Sequence, residues 1–294
     1  MIPALTLVTL MVSPIMFAAP IDAATTAAPV ERTVFVTITD GKGAPVPDLT
    51  PADFVVKEGG KEREITKAER STAKMRLALA VEERMMGDTA VRMGIFEFAK
   101  RLGNAAEVSL ITMGLRNTTI VDYTTDLNVL VDVLNKYTLN PSKDSALAEG
   151  ILDVSNRFTS EKPARPVIVV VALSGGQIAV EARLVLDKLR DSGAQMFAAT
   201  LAGASAAPSL GTMNDHAGRE QVLGDGSRQS GGRRIDVNAT SALPNALQQF
   251  ANDLLSQYAI TYTLPDGVKP NRRFEISTKR RGLSMRAPSA ISDR

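Results

Sequence analysis

The 294-residue sequence contains no cysteine, no tryptophan and a single histidine, His216. Without thiols there is no cysteine nucleophile, no disulfide and no thiolate ligand for a metal. One imidazole excludes a multi-histidine metal centre and leaves His216 as the sole side chain of that type for acid–base work near neutral pH. Aromatic residues make up only 4% of the chain. They do not interleave with the short basic runs Arg233-Arg234, Arg272-Arg273 and Lys279-Arg280-Arg281, so the stacking platform of a single-strand nucleic-acid binder is missing. Charge of one sign is missing too. The 34 Lys and Arg oppose 32 Asp and Glu, for a formal net charge of +2, which gives no electrostatic footprint for nucleic acid.

Long apolar runs are confined to the N-terminus. Ile2 to Ala19 is almost wholly apolar, is interrupted by Pro3 and Pro14, and is followed by small residues up to Ala24. This is the layout of a secretory signal peptide over 1–23, cleaved after Ala23 or Ala24, although no Lys or Arg precedes the apolar stretch. The alternative is an uncleaved anchor, because about 17–18 apolar residues lie at the short edge of spanning length. Either way the chain is expected to be exported, periplasmic or secreted.

After a linker over 24–31, the pattern becomes alternating. Val34, Val36 and Ile38 share one face of a strand that ends at Asp40-Gly41-Lys42-Gly43. Phe54-Val55-Val56-Lys57 and Glu62 to Thr66 add short strands, so 32–72 reads as a β segment. From Met75 the rhythm is strand, helix, strand, helix. Leu77 to Val81 and Pro166 to Leu173 are continuous apolar runs, as expected for strands covered on both faces. Helices are expected over 89–102, around Leu127 to Leu134, over 146–158 and over 179–191, and from Leu243 up to Tyr258. Strands are expected at 108–113, 118–123, 195–201 and 234–237. The Gly/Ser/Ala-rich stretch 202–232 is expected to be a long loop with one short helix. The alternation predicts an α/β domain over 75–257, a doubly wound, mainly parallel sheet with helices on both faces. The strands over 258–288 resemble those of 32–72, and both ends are expected to form one small β module from which the α/β domain is inserted.

Leu49-Thr50-Pro51-Ala52-Asp53-Phe54-Val55-Val56-Lys57-Glu58-Gly59-Gly60-Lys61, Leu173-Ser174-Gly175-Gly176, and the stretch from Leu247 through Gln257-Tyr258 to Tyr262 are similar to segments of a known family. Through them the chain resembles the von Willebrand factor type A (VWA)-related exported bacterial proteins over nearly all its mature length. That resemblance implies a VWA-like α/β fold, a protein-binding or assembly role in the cell envelope, and a metal-ion-dependent adhesion site at the strand ends. The family's first loop carries Asp-x-Ser-x-Ser. Here the same loop reads Glu82-Glu83-Arg84-Met85-Met86. The family's Thr falls at or near Ser145, and its last Asp at Ser174. Mg²⁺ prefers an octahedral oxygen shell and gives up water reluctantly. A second cation at ~4 Å adds about 4 kcal/mol of repulsion at an effective dielectric near 20. The site is therefore expected to be degenerate, with no metal and no other cofactor.

Two readings of this loop stand side by side. In one, Glu82, Glu83 and Arg84 are a solvated loop whose charges partly cancel. In the other, Arg84 supplies the positive charge of the missing metal and captures a carboxylate of an envelope or extracellular partner protein. Asp88 reads as a helix N-cap. Two further functions compete with a metal-free binding module. A metal-dependent adhesin would recruit Glu82 and Ser145 into a nonstandard shell. A hydrolase would use His216, but Gly203-Ala204-Ser205-Ala206-Ala207 lacks the last glycine of a nucleophile elbow. Gly224-Asp225-Gly226-Ser227 lacks the strand and lysine of a phosphate loop. No catalytic residue is assigned.

Overall fold

The computed structural model describes residues 30–138, 145–174, 178–202 and 213–292. The proposed leader and most of the linker lie outside the described residues. Chain order runs β1 (Val30–Thr39), β2 (Phe54–Glu58), β3 (Lys61–Arg63), β4 (Ile65–Arg70), β5 (Met75–Glu82), α1 (Thr89–Leu102), β6 (Ala106–Met113), β7 (Asn117–Thr124), α2 (Leu127–Lys136) and α3 (Leu147–Glu161). It continues with β8 (Pro166–Leu173), α4 (Ala182–Ser192), β9 (Gln195–Leu201), α5 (Met213–Gln229), β10 (Arg234–Val237), α6 (Leu243–Leu255), β11 (Tyr258–Leu264), β12 (Phe274–Thr278) and β13 (Ser284–Arg286).

The central sheet has the order β10-β9-β8-β5-β6-β7. Every pairing in it is parallel except the β6–β7 hairpin at one edge. Apolar runs become double-sided strands because successive side chains point to opposite faces. Leu77, Leu79 and Val81 join Val167, Val169 and Val171 under α1, α2 and α6. Ala78, Ala80, Ile168 and Val170 face the other way, under α3 and α4 and the Val222-Leu223 pair of α5. This is the doubly wound architecture that the resemblance implies. The chain first builds outward from β5 to β7 and then crosses to β8, so the order reverses between β5 and β8. The carboxyl ends of these two strands flank the switch point, where open α/β sheets place their ligands.

The two ends of the chain meet. β1 pairs antiparallel with β11 from Val30↔Leu264 to Val36↔Tyr258, and with β13 from Thr37 to Thr39. A second small sheet joins β12, β2 and β3. Val34, Val36, Ile38, Phe54, Ile260 and Tyr262 are buried in the core of this module. The acidic residue of the Leu-Thr-to-Gly-Lys segment, Glu58, is structural. It accepts from Arg32 Nη1 at 2.9 Å, from the Tyr262 hydroxyl at 2.6 Å and from the Asn271 N–H at 2.6 Å. Burial, and then this hydrogen bond, raise the Tyr262 phenol above its usual range.

Two expectations are corrected. The helix expected to reach Tyr258 stops at Leu255, because Gln257 turns inward to Arg165 and Thr37 and Tyr258 already belongs to β11. The stretch expected to be mostly loop contains the 17-residue α5. Its buried face is Arg219, Val222, Leu223, Gly226 and Ser227, a helical spacing carried partly by residues that do not register as apolar. A Cβ on Gly226 would lie 2.6 Å from Met196 Cε, so glycine permits the close approach of α5 to β9.

Arg165 ties the module to the α/β domain. It is 2% exposed and donates to Ala73 O at 3.2 Å, to Leu254 O and to Gln257 Oε1 at 2.8 Å. Gln257 Nε2 continues the chain to Thr37 Oγ1 on β1 at 3.1 Å. Burial pushes the Arg165 guanidinium down to about 10. Arg165→Met leaves these buried acceptors unpaired and is expected to destabilise the fold by about 2–4 kcal/mol. Urea unfolding checks this, with a midpoint shift at unchanged slope as the expected result.

Candidate functional site

The apolar run of β5 ends on Glu82 at the switch point. This carboxylate is fully buried, which corrects the reading of Glu82 as part of a solvated loop. Its Oε2 accepts the N–H of Leu173, the last residue of β8. Its Oε1 lies 3.1 Å from Nη2 of Arg219 on α5, which is itself 0% exposed. Arg219 also donates to Leu173 O, from Nη2 at 2.8 Å and Nε at 3.3 Å. Two strand ends and a helix are thus clamped by one carboxylate and one guanidinium. Removing either partner would strand a buried charge.

The following turn, Glu83–Gly87, keeps little of a solvated loop. Met85 and Met86 are buried, so both belong to the core. Arg84 stands at the rim with 37% of its side chain exposed and its Nη2 3.4 Å from Glu82 Oε1. Glu83 folds over Gly114, where an added Cβ would fall 2.0 Å from its Oε2, and accepts from the Tyr137 hydroxyl at 3.0 Å. Burial, reinforced by Glu83, raises the Tyr137 phenol. Asp88 caps α1, accepting from Ala90 N at 2.7 Å. Its carboxyl is lowered first by the Thr240 hydroxyl and also by this cap.

The remaining expected positions gather around the same rim. Ser174 follows the clamped Leu173 and donates its N–H to Leu201 O at 2.8 Å. Ser145 precedes Ala146, whose N–H bonds Gly114 O at 2.8 Å, beside Glu83. Its hydroxyl is buried without a partner among the described residues. The backbone of His216 lies in α5 rather than in a loop, and its side chain is outside the described set. The residue that sequence reasoning missed is Arg219. It sits in the stretch read as loop, and the i, i+3, i+4, i+7, i+8 spacing from 219 to 227 was the signal that could have found it.

These residues do not suit a divalent cation. Glu82, the carboxylate that ends β5, has both oxygens engaged, one by a peptide N–H and one by guanidinium. A metal there would face Arg219, with Arg84 close by, in place of the oxygen donors it requires. No cluster of three or more acidic or histidine side chains suited to a metal occurs among the described residues.

No protein-family model matches the chain, and no curated protein matches it. Among solved structures, the chain is similar to proximal thread matrix protein 1 from the mussel byssus with a zinc-occupied adhesion motif. Identity is 10% over 64% of this chain and 49% of that one, with a TM-score of 0.48. It is similar to BatB from Bacteroides thetaiotaomicron at 17% identity over 60% of this chain and 96% of that one, with a TM-score of 0.43. It is also similar to the PilB minor pilin of Streptococcus sanguinis at 12% identity over 64% and 63%, with a TM-score of 0.46. The chain spans about half the length of the byssus protein. No helix among the described residues is long and apolar enough to cross a membrane.

Arg219→Met is expected to destabilise the protein by about 3–5 kcal/mol, because Glu82 is left fully buried with only the partly exposed Arg84, at 3.4 Å, as a counter-charge. The double variant Glu82→Met, Arg219→Met recovers the part of that loss due to the stranded charge, while the Leu173 N–H and C=O still lack their side-chain partners. Urea unfolding of the four proteins in a double-mutant cycle measures the coupling.

Proposed function

We propose that this chain is a non-enzymatic protein-binding or assembly module of the cell envelope that uses the loops at the carboxyl ends of its central strands without a metal ion. The observation that carries the reading is the buried Arg219–Glu82 pair, at 3.1 Å, which supplies positive charge inside the clamp where the family resemblance implies a cation. The guanidinium needs no exchange of ligands and holds the strand ends in one arrangement. Arg84, left at the rim with its planar fork of donors, is the group that meets a partner's carboxylate. Ser145 and Ser174 lie along the same rim. Export is part of this proposal, resting on the apolar N-terminal stretch and its small-residue cleavage pattern.

Affinity capture from envelope extract tests the reading. A partner is expected to be retained equally with Mg²⁺ and with chelator, and Arg84→Ala is expected to weaken retention about tenfold or more, the loss of one charge-assisted contact. Retention that disappears with chelator contradicts the proposal and favours the metal-dependent adhesin. Retention unchanged by Arg84→Ala removes Arg84 from the binding role.

A further inference from the structure

A cavity of about 460 Å³ lies at the opposite end of the α/β domain, between the starts of β8 and β9, the C-terminal ends of α4 and α5, and β1 of the β module. One of its walls is an unpaired strand edge. β13 covers β1 only from Thr37 to Thr39, while Val30 to Val36 pair on their other side with β11. Phe35 O accepts from Gln195 Nε2 at 3.0 Å, so the backbone of Phe35 points away from β11 and into the cavity. In a strand the two polar groups of one residue point to one side and the side alternates along the chain. The N–H and C=O of Glu31 and Thr33, and the N–H of Phe35, therefore face the cavity, and no described residue bonds them.

Among the described residues, the chain beyond β13 does not pair with this edge. Ser289 N bonds Gln229 O at 2.8 Å and Pro288 bridges Ser230 at the end of α5. The tail then lines the cavity up to Ser292, whose O accepts from the Arg32 side chain. Proline at 288 has no N–H to offer β1. Gln195 adds an independent sign of a missing ligand. It is 3% exposed, lines the cavity, and its Oε1 has no hydrogen-bond partner. A buried acceptor of this kind calls for a donor. Leu186, Leu189, Pro166 and Ile291 supply apolar wall.

We infer that this cavity binds an extended peptide segment of a partner protein, which adds as a strand to the free edge of β1. The paired donor and acceptor repeat every second residue, about 6.5–7 Å along the strand, and this is the repeat of another extended backbone rather than of a compact small molecule. The segment's N–H groups satisfy Thr33 O, Glu31 O and Gln195 Oε1, and its alternate side chains rest on the apolar wall. The inference is independent of the strand-end loops at the other pole of the domain.

Panning the full mature chain against displayed random heptapeptides supplies the probes. A selected peptide is expected to slow amide exchange at Thr33 and Phe35 at least tenfold. N-methylation of alternate peptide residues is expected to abolish binding. Thr33→Pro, which removes an edge donor, and Ala164→Trp, at an exposed residue of the cavity mouth, are each expected to weaken binding at least tenfold, while Arg84→Ala leaves it unchanged. Should Thr33→Pro unfold the protein, Ala164→Trp still decides. The inference is overturned if no selected peptide protects those amides or if N-methylated analogues bind as well. It is also overturned if sedimentation shows two copies of the chain pairing through this edge, with no peptide able to compete.

Discussion

One buried ion pair, Glu82 with Arg219, fixes the geometry at the switch point of the central sheet. The carboxylate takes the N–H of Leu173 and the guanidinium takes its C=O, so the ends of β5 and β8 and the middle of α5 hold one another in place. Desolvating two charges is expensive, and such a pair adds little net stability compared with an apolar substitute. Its effect is positional. Neither partner tolerates the loss of the other, so α5 is locked over the strand ends and the rim carrying Arg84, Ser145 and Ser174 inherits a defined shape.

A second buried arginine does similar work at the other end of the domain. Arg165 stands at the entry to β8 and reaches backbone carbonyls of two segments together with Gln257, which hands the contact on to β1. No carboxylate pairs with it among the described residues, and its charge is dispersed over carbonyl and amide oxygens and the Phe35 ring, 5.1 Å away. The β module is therefore attached through polar groups with defined directions. That attachment sets the distance between β1 and the starts of β8 and β9, and so opens the cavity along the free edge.

Most of the fold was legible in the sequence. The apolar runs at 166–173 and 195–201 and the alternation at 234–237 coincide with β8, β9 and β10, because double-sided burial leaves a strong periodic trace. Asp88 announced the start of α1 through its capping chemistry. The similar alternation at both chain ends anticipated their pairing. What escaped was α5. Its inward face uses Gly226 and Ser227 for close packing and Arg219 for charge, and none of these reads as apolar. The error at Glu82 followed directly. A carboxylate after a strand looks solvated unless its distant cation is known, and here that cation stood in the missed helix. The departure of Glu82, Arg84, Met86 and Ser174 from the pattern that the resemblance implies was visible in the sequence, but the buried cation that meets Glu82 was not.

The claim that a guanidinium takes the place of a metal in this fold is tested most directly by thermal unfolding in chelator and then in 10 mM Mg²⁺, Mn²⁺ or Ca²⁺. A site occupied at a hundred times its Kd stabilises a protein by about 2.7 kcal/mol, which raises Tm by roughly 5–10 °C for a domain of this size. The account predicts the same Tm in all four conditions for the native chain. A rise of that magnitude with any of the three ions would contradict it.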